Sequence, residues 1–134
     1  MVLLLFLIQT CSCSKEGPKF TQLQIIDMAR KIEPDLEEVQ FDLNKTDDPH
    51  RVICKNYGAG CVPNTGKRLK IRKVQLIILE FENEEAAKEE AMRINQWYSK
   101  NWLFDNVTDE PVLIDFVKKA FDARPGNEAQ ESKK

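Results

Sequence analysis

Histidine is almost absent from this chain: His50 is the only one in 134 residues. That scarcity limits metal and hydrolytic chemistry together. A zinc site needs three or four ligands at characteristic spacing, and His50 has only two cysteines near it that are better explained as a bonded pair. Any Ser-His-Asp or Cys-His arrangement would also depend on His50, and no Gly-x-Ser-x-Gly occurs. Following Asp47, Asp48 and Pro49, His50 reads as an exposed turn residue. No metal or cofactor is expected. Long apolar runs are missing too. Nothing approaches the roughly 18 residues of a membrane-crossing helix, so membrane attachment would require an anchor. There is no basic excess either: a net charge of -2 and a pI near 5.5 argue against nucleic-acid binding.

What the chain does have is an ordinary globular composition, 42% hydrophobic and 31% charged, enough for one domain with a real core. It opens on an apolar run, residues 2–8, followed by Gln9, Thr10 and Cys11. Seven residues are the short end of a signal-peptide h-region. With Ile8 three places before Cys11 and Thr10 just before it, this segment resembles the lipobox of bacterial lipoproteins. Thr10 stands where Gly, Ala or Ser is usual, Gln9 is bulky, and no Lys or Arg precedes the apolar run, so a start upstream of Met1 is expected. The resemblance implies a signal peptide over residues 1–10, a lipid on Cys11 and a tether over residues 11–18. With Ser12 next, it implies an outer-membrane lipoprotein facing the periplasm. The alternatives are a plain secretory signal cleaved near Ser12 or Ser14, and a buried first strand.

The folded part is expected over residues 19–124. Thr21 and Gln24 form a capping box, Phe20 and Ile25 a hydrophobic staple, and Leu23, Ile26, Ala29 and Ile32 a helical stripe that Pro34 ends. Val39, Phe41 and Leu43 alternate as a strand, residues 44–50 turn, and residues 51–54 are a second short strand. From Arg68 to Asn83 the pattern reads as one strand whose later half is interior. Asn83 caps a helix with the face Ala87, Ala91, Ile94 and Tyr98. A strand follows near Trp102. Thr108 or Asp109 then caps a helix with the stripe Leu113, Phe116, Val117, Ala120 and Phe121, and residues 125–134 form a disordered tail. The order α-β-β-β-α-β-α predicts an α+β fold: an antiparallel sheet of about four strands with helices on one face, a ferredoxin-like two-layer sandwich.

Few constellations carry chemistry. Cys54 and Cys61 enclose six residues with two glycines, a spacing suited to a disulfide in an exported protein; catalytic dithiols usually occur as Cys-x-x-Cys. The acidic run 82–90 reads as a solvated helix face with Glu84/Lys88 and Glu89/Arg93 pairs. Residues 60–68 miss the phosphate-loop spacing. Two Asp-rich turns lack the glycine and closing Glu of a calcium loop. Arg68, Lys70 and Arg72 alternate with Leu69 and Ile71, so on a strand they share one face. They read either as edge-strand protection or as a site for an anionic envelope component. Of the aromatics near residue 100, Trp97 and Trp102 are candidate contacts for a protein partner if exposed. The leading expectation is a non-enzymatic envelope lipoprotein that binds or scaffolds. The alternatives are a thiol-disulfide redox protein using Cys54 and Cys61, and a secreted carrier of a small ligand.

Overall fold

The structure is a computed structural model that describes residues 17–127. Its first helix, α1 (Gln22–Ile32), starts as the residues dictate. The Thr21 hydroxyl accepts from the Gln24 N–H at 3.1 Å and the Gln24 side chain accepts from the Thr21 N–H at 2.8 Å. Its buried face is only partly the expected stripe: Ala29 is buried and Ile26 half-buried against the core, but Ile32 is exposed. Ile25 and Ala29 point inward, while Leu23 is 72% exposed.

The sheet has six antiparallel-paired strands in the order β1-β2-β3-β5-β4-β6, not about four. These are β1 (Glu37–Glu38), β2 (Lys67–Ile71), β3 (Val74–Glu80), β4 (Trp97–Ser99), β5 (Trp102–Asp105) and β6 (Arg124–Pro125). Three sequence expectations fail for identifiable reasons. Only Glu37 and Glu38 pair as a strand; after Val39 the chain leaves the sheet, and the Asp42 and Asp48 carboxylates accept the backbone N–H groups of Asn44, Asp42 and His50. Those local bonds outcompete a ladder. The segment 51–54 is no strand, because Cys54 begins a short 3₁₀ turn (Cys54–Asn56). The single strand expected from Arg68 is a hairpin, turning at Arg72 and Lys73 with Ile71 opposite Val74.

The helix α2 (Glu84–Ile94) is capped by Asn83, whose side-chain oxygen accepts from the Ala86 N–H at 2.8 Å. It ends at Asn95 in the left-handed region, φ 58°, so Tyr98 falls in β4 and not on the helix. The helix α3 (Pro111–Phe121) buries all five residues of its expected stripe, with Glu110 as its N-cap in place of Thr108 or Asp109.

Topology decides where the helices lie. The strands β3 and β4 run parallel, joined through α2 with β5 between them; β5 and β6 run parallel, joined through α3 with β4 between them. These are two interlocked split β-α-β units. Both crossovers step the same way across the sheet, but from strands of opposite direction. Crossovers of one hand therefore place their helices on opposite faces. The core follows: Leu69, Ile71, Leu76, Ile78, Trp102 and Phe104 pack under α1 and α3, while Ile77, Leu79, Leu103 and Tyr98 pack under α2. The expected two layers with helices on one face are thus three layers.

Two close fits fix the ends of the described chain. Asn101, 1% exposed in the turn between β4 and β5, accepts from the Phe20 N–H at 2.7 Å through its side-chain oxygen, and the Trp102 indole donates to the Phe20 carbonyl at 2.8 Å. At the other end Gly126 lies on the backbone of α2, where a β-carbon would stand 2.3 Å from the Ala91 carbonyl carbon, and its N–H donates to the Gln96 carbonyl at 2.8 Å. Residues 125–127 therefore belong to the fold, contrary to the expected tail. Replacing Asn101 with Ala orphans the Phe20 N–H and should cost about 1–3 kcal/mol. Gly126→Ala should also destabilise, because backbone cannot yield to the added carbon. Urea midpoints lowered at constant slope are the expected result for both variants.

Candidate functional site around the disulfide loop

Cys54 and Cys61 are joined, with α-carbons 5.5 Å apart. The loop they close is fastened on two further sides. From within it, the Tyr57 hydroxyl donates to the Asp105 carboxylate on β5 at 2.7 Å. Burial, then that hydrogen bond and the Asp105 charge, push the Tyr57 phenol well above its ordinary range, while Arg68 opposes the shift. Next to Tyr57, the Gly58 N–H donates to the Glu90 carboxylate on α2. Glu90 is only 3% exposed, and Arg93 pairs with the same carboxylate. The loop thus bridges the sheet and the helix that covers it.

Glycine makes this docking geometrically feasible. Gly60 has φ +90°, and a β-carbon there would lie 2.8 Å from the Ala86 β-carbon. Just beyond, Cys61 bridges Phe81, with the Val62 N–H donating to the Glu80 carbonyl at 2.9 Å and the Glu82 N–H to the Gly60 carbonyl at 2.8 Å.

The basic stripe is only partly assembled. Arg68 and Lys70 lie on the α2 side of β2, where the Arg68 Nε donates to the His50 carbonyl at 3.2 Å. Arg72 leaves the strand for the hairpin turn, with φ 57°, and pairs with Glu33 at 3.3 Å. The stripe is not an edge either, because β1 lies outside β2. Opposite charge crowds the neighbourhood: Glu38 pairs with Lys67 at 3.0 Å and with Arg30 at 3.6 Å. Trp97 and Trp102 are 2% and 0% exposed, so neither offers a contact surface. Cys11 and Cys13 lie outside the described residues.

Among the described residues no three His, Cys, Asp or Glu side chains are placed to hold a metal ion, and no helix is long and apolar enough to cross a membrane. His50 is exposed. The functional-looking residues that sequence reasoning missed are Tyr57, Asp105 and Glu90. For Glu90 a signal existed. It lies between Ala87 and Ala91 on the inward face of α2, so it could not belong to the solvated face, and its partner is Arg93 three residues on, in place of the expected Glu89/Arg93 pair. Compared with models of protein families, with curated proteins and with solved structures, the chain matches none.

Two outcomes are expected of this region. Tyr57→Phe should cost about 1 kcal/mol and Glu90→Ala about 1–3 kcal/mol, the second more because it strands both the half-buried Gly58 N–H and the Arg93 guanidinium. Because both act through one loop, the double variant should depart from additivity by more than about 0.5 kcal/mol in a denaturation cycle. The second outcome concerns pH. The backbone N–H groups of Asp42 and then His50 hold the Asp48 carboxyl below its ordinary value of 3.8. A depressed carboxyl stabilises the fold above its unfolded pKa and loses that contribution as pH falls through the folded one. Hydrogen exchange over residues 42–51 should therefore accelerate below about pH 3.8, and Asp48→Ala should show the fast rate already at neutral pH.

Proposed function

We propose that the protein is a non-enzymatic module of the cell envelope, exported, stapled by Cys54–Cys61 and held to the outer membrane by a lipid on Cys11, facing the periplasm. The observation that carries this reading is the disulfide and the way its loop is fastened to both β5 and α2. Disulfides persist in oxidising compartments, where a chain with a lipobox-like leader would go. Lipidation would supply the attachment, since several acyl chains at about 0.8 kcal/mol per buried methylene anchor stably. Binding or scaffolding at that surface is the task such a module performs.

The redox alternative is less well supported. Thiol exchange needs an attacking thiolate to reach a sulfur and the freed loop to move. Here both cysteines are half-buried, and besides the bond the loop is held by the Tyr57 and Glu90 hydrogen bonds, which oppose the movement that exchange requires.

Fractionation tests the proposal. Wild-type protein is expected in the membrane fraction and Cys11→Ser in the soluble one; a Cys11→Ser protein that stays with the membrane removes the anchor. The Cys54–Cys61 couple should have a reduction potential below about -300 mV, as structural bonds do, and a clearly higher value would favour the redox reading.

A further inference from the structure

Near the point where the described chain begins, β4, β6 and the start of α2 enclose a polar cleft of about 230 Å³. Tyr98 and Ser99 of β4 contribute to its lining, with charges of both signs around them: Lys100 and Arg124, Glu84 and Asp122. The positions follow from the fold. Tyr98 and Arg124 are direct partners across β4 and β6, Lys100 is in the turn after β4, and Asp122 caps α3 two residues before Arg124.

Asp122 and Arg124 are exposed and Glu84 is half-buried, and two observations bear on what the cleft could hold. Among the described residues, the side chains of Glu84, Asp122 and Arg124 make no hydrogen bond or ion pair, although unlike charges share one cleft. Lys100 is the exception in part, its ammonium lying 5.0 Å from the centre of the Phe20 ring. The second observation is Tyr98. It is 6% exposed, yet its hydroxyl has no hydrogen-bond partner among the described residues, and it is not among the buried atoms without a partner, so it reaches solvent. A buried ring whose hydroxyl reaches solvent, on a residue that lines the cleft, offers a donor to a ligand.

We propose that this cleft binds a small zwitterion carrying a phosphate and a primary ammonium, the chemistry of an ethanolamine phosphate headgroup. A simple anion would face two carboxylates and a simple cation two bases; a zwitterion satisfies both sets. The volume is below the roughly 300–1,000 Å³ of drug-sized pockets, which favours a fragment of headgroup size. Arginine and lysine together suit phosphate, the first as a fork and the second as a point charge. Preferring a phosphate to a carboxylate zwitterion rests on the envelope reading above, because Pro18 at the cleft wall is seven residues from Cys11 and thus within about 25 Å of an acylated anchor.

The test uses the full chain with Cys11→Ser, titrated with O-phosphoethanolamine and followed by amide chemical shifts. Saturable shifts are expected at Tyr98, Ser99, Lys100 and Arg124. Arg124→Gln and Asp122→Asn should each weaken binding about tenfold, the loss of one charge-assisted bond. Tyr98→Phe, which keeps every charge, should weaken it severalfold. Inorganic phosphate, ethanolamine and glycine are the comparison probes. If phosphate alone or glycine binds as well as O-phosphoethanolamine, or if no saturable shift occurs, the proposal is overturned. Flotation of the same protein with phosphatidylethanolamine and phosphatidylcholine vesicles separates the sources. Selective flotation with the first assigns a lipid headgroup; binding of the soluble probe without flotation assigns a free phosphoester. Because the titration needs no lipid anchor, a cleft that binds in a protein whose Cys11 proves dispensable refutes the anchor alone. Release by Cys11→Ser without binding refutes the cleft alone.

Discussion

The turn at Lys100 and Asn101 is the joint on which the architecture depends. It sets β4 beside β5, and each split β-α-β unit needs that pairing, since each inserts one of these strands between its own two. Asn101 then recruits what lies around it. Its side chain takes the Phe20 N–H and its backbone carbonyl accepts from the Phe81 N–H at 2.7 Å, so the entry to α1 and the end of β3 converge on one residue. An asparagine offers a donor and an acceptor on one short rigid group, which is what a backbone segment with no strand partner requires.

The same economy governs the face covered by α2. That helix is short and carries mostly small apolar residues inward, Ala87 and Ala91, so it cannot cover the sheet out to β2 unaided. Val52, just ahead of the disulfide loop, and Tyr57 and Cys61 within it cover the remainder. Its docking is polar as well as apolar, with Tyr57, Gly58 and Asp105 half-buried and Glu90 buried. A buried carboxylate such as Glu90 is tolerated because a backbone N–H and a guanidinium both satisfy it.

Much of the helical content was legible because its signals are local. Thr21 with Gln24, Asn83 with its acidic first turn, and the stripe from Leu113 to Phe121 each behave as their spacing implies. The sheet was less legible, for two physical reasons. Both two-residue hairpins place a lysine or arginine at the left-handed position, Arg72 with φ 57° and Lys100 with φ 48°, where the recognisable signal would be Gly or Asn. From sequence alone one hairpin therefore reads as a single strand, and the start of β4 reads as the end of the preceding helix. The outermost strands, β1 and β6, are two residues each and carry no alternation at all; they exist only because a neighbour offers a free edge. At the candidate site the disulfide was legible from spacing, whereas the Tyr57–Asp105 contact joins residues 48 apart and leaves no local trace.

The grip on Phe20 also decides how the molecule carries a mechanical load. Tension applied to the chain ahead of residue 17 does not reach the sheet through an exposed outer strand, which would unzip one hydrogen bond at a time. It arrives at Phe20, whose N–H and carbonyl are held by Asn101 and by the indole of Trp102, a side chain with no exposed surface. Several bonds share the force at once, and they pass it to β5, which has β3 on one side and β4 on the other. A domain hung from its amino end is thereby suspended from its middle.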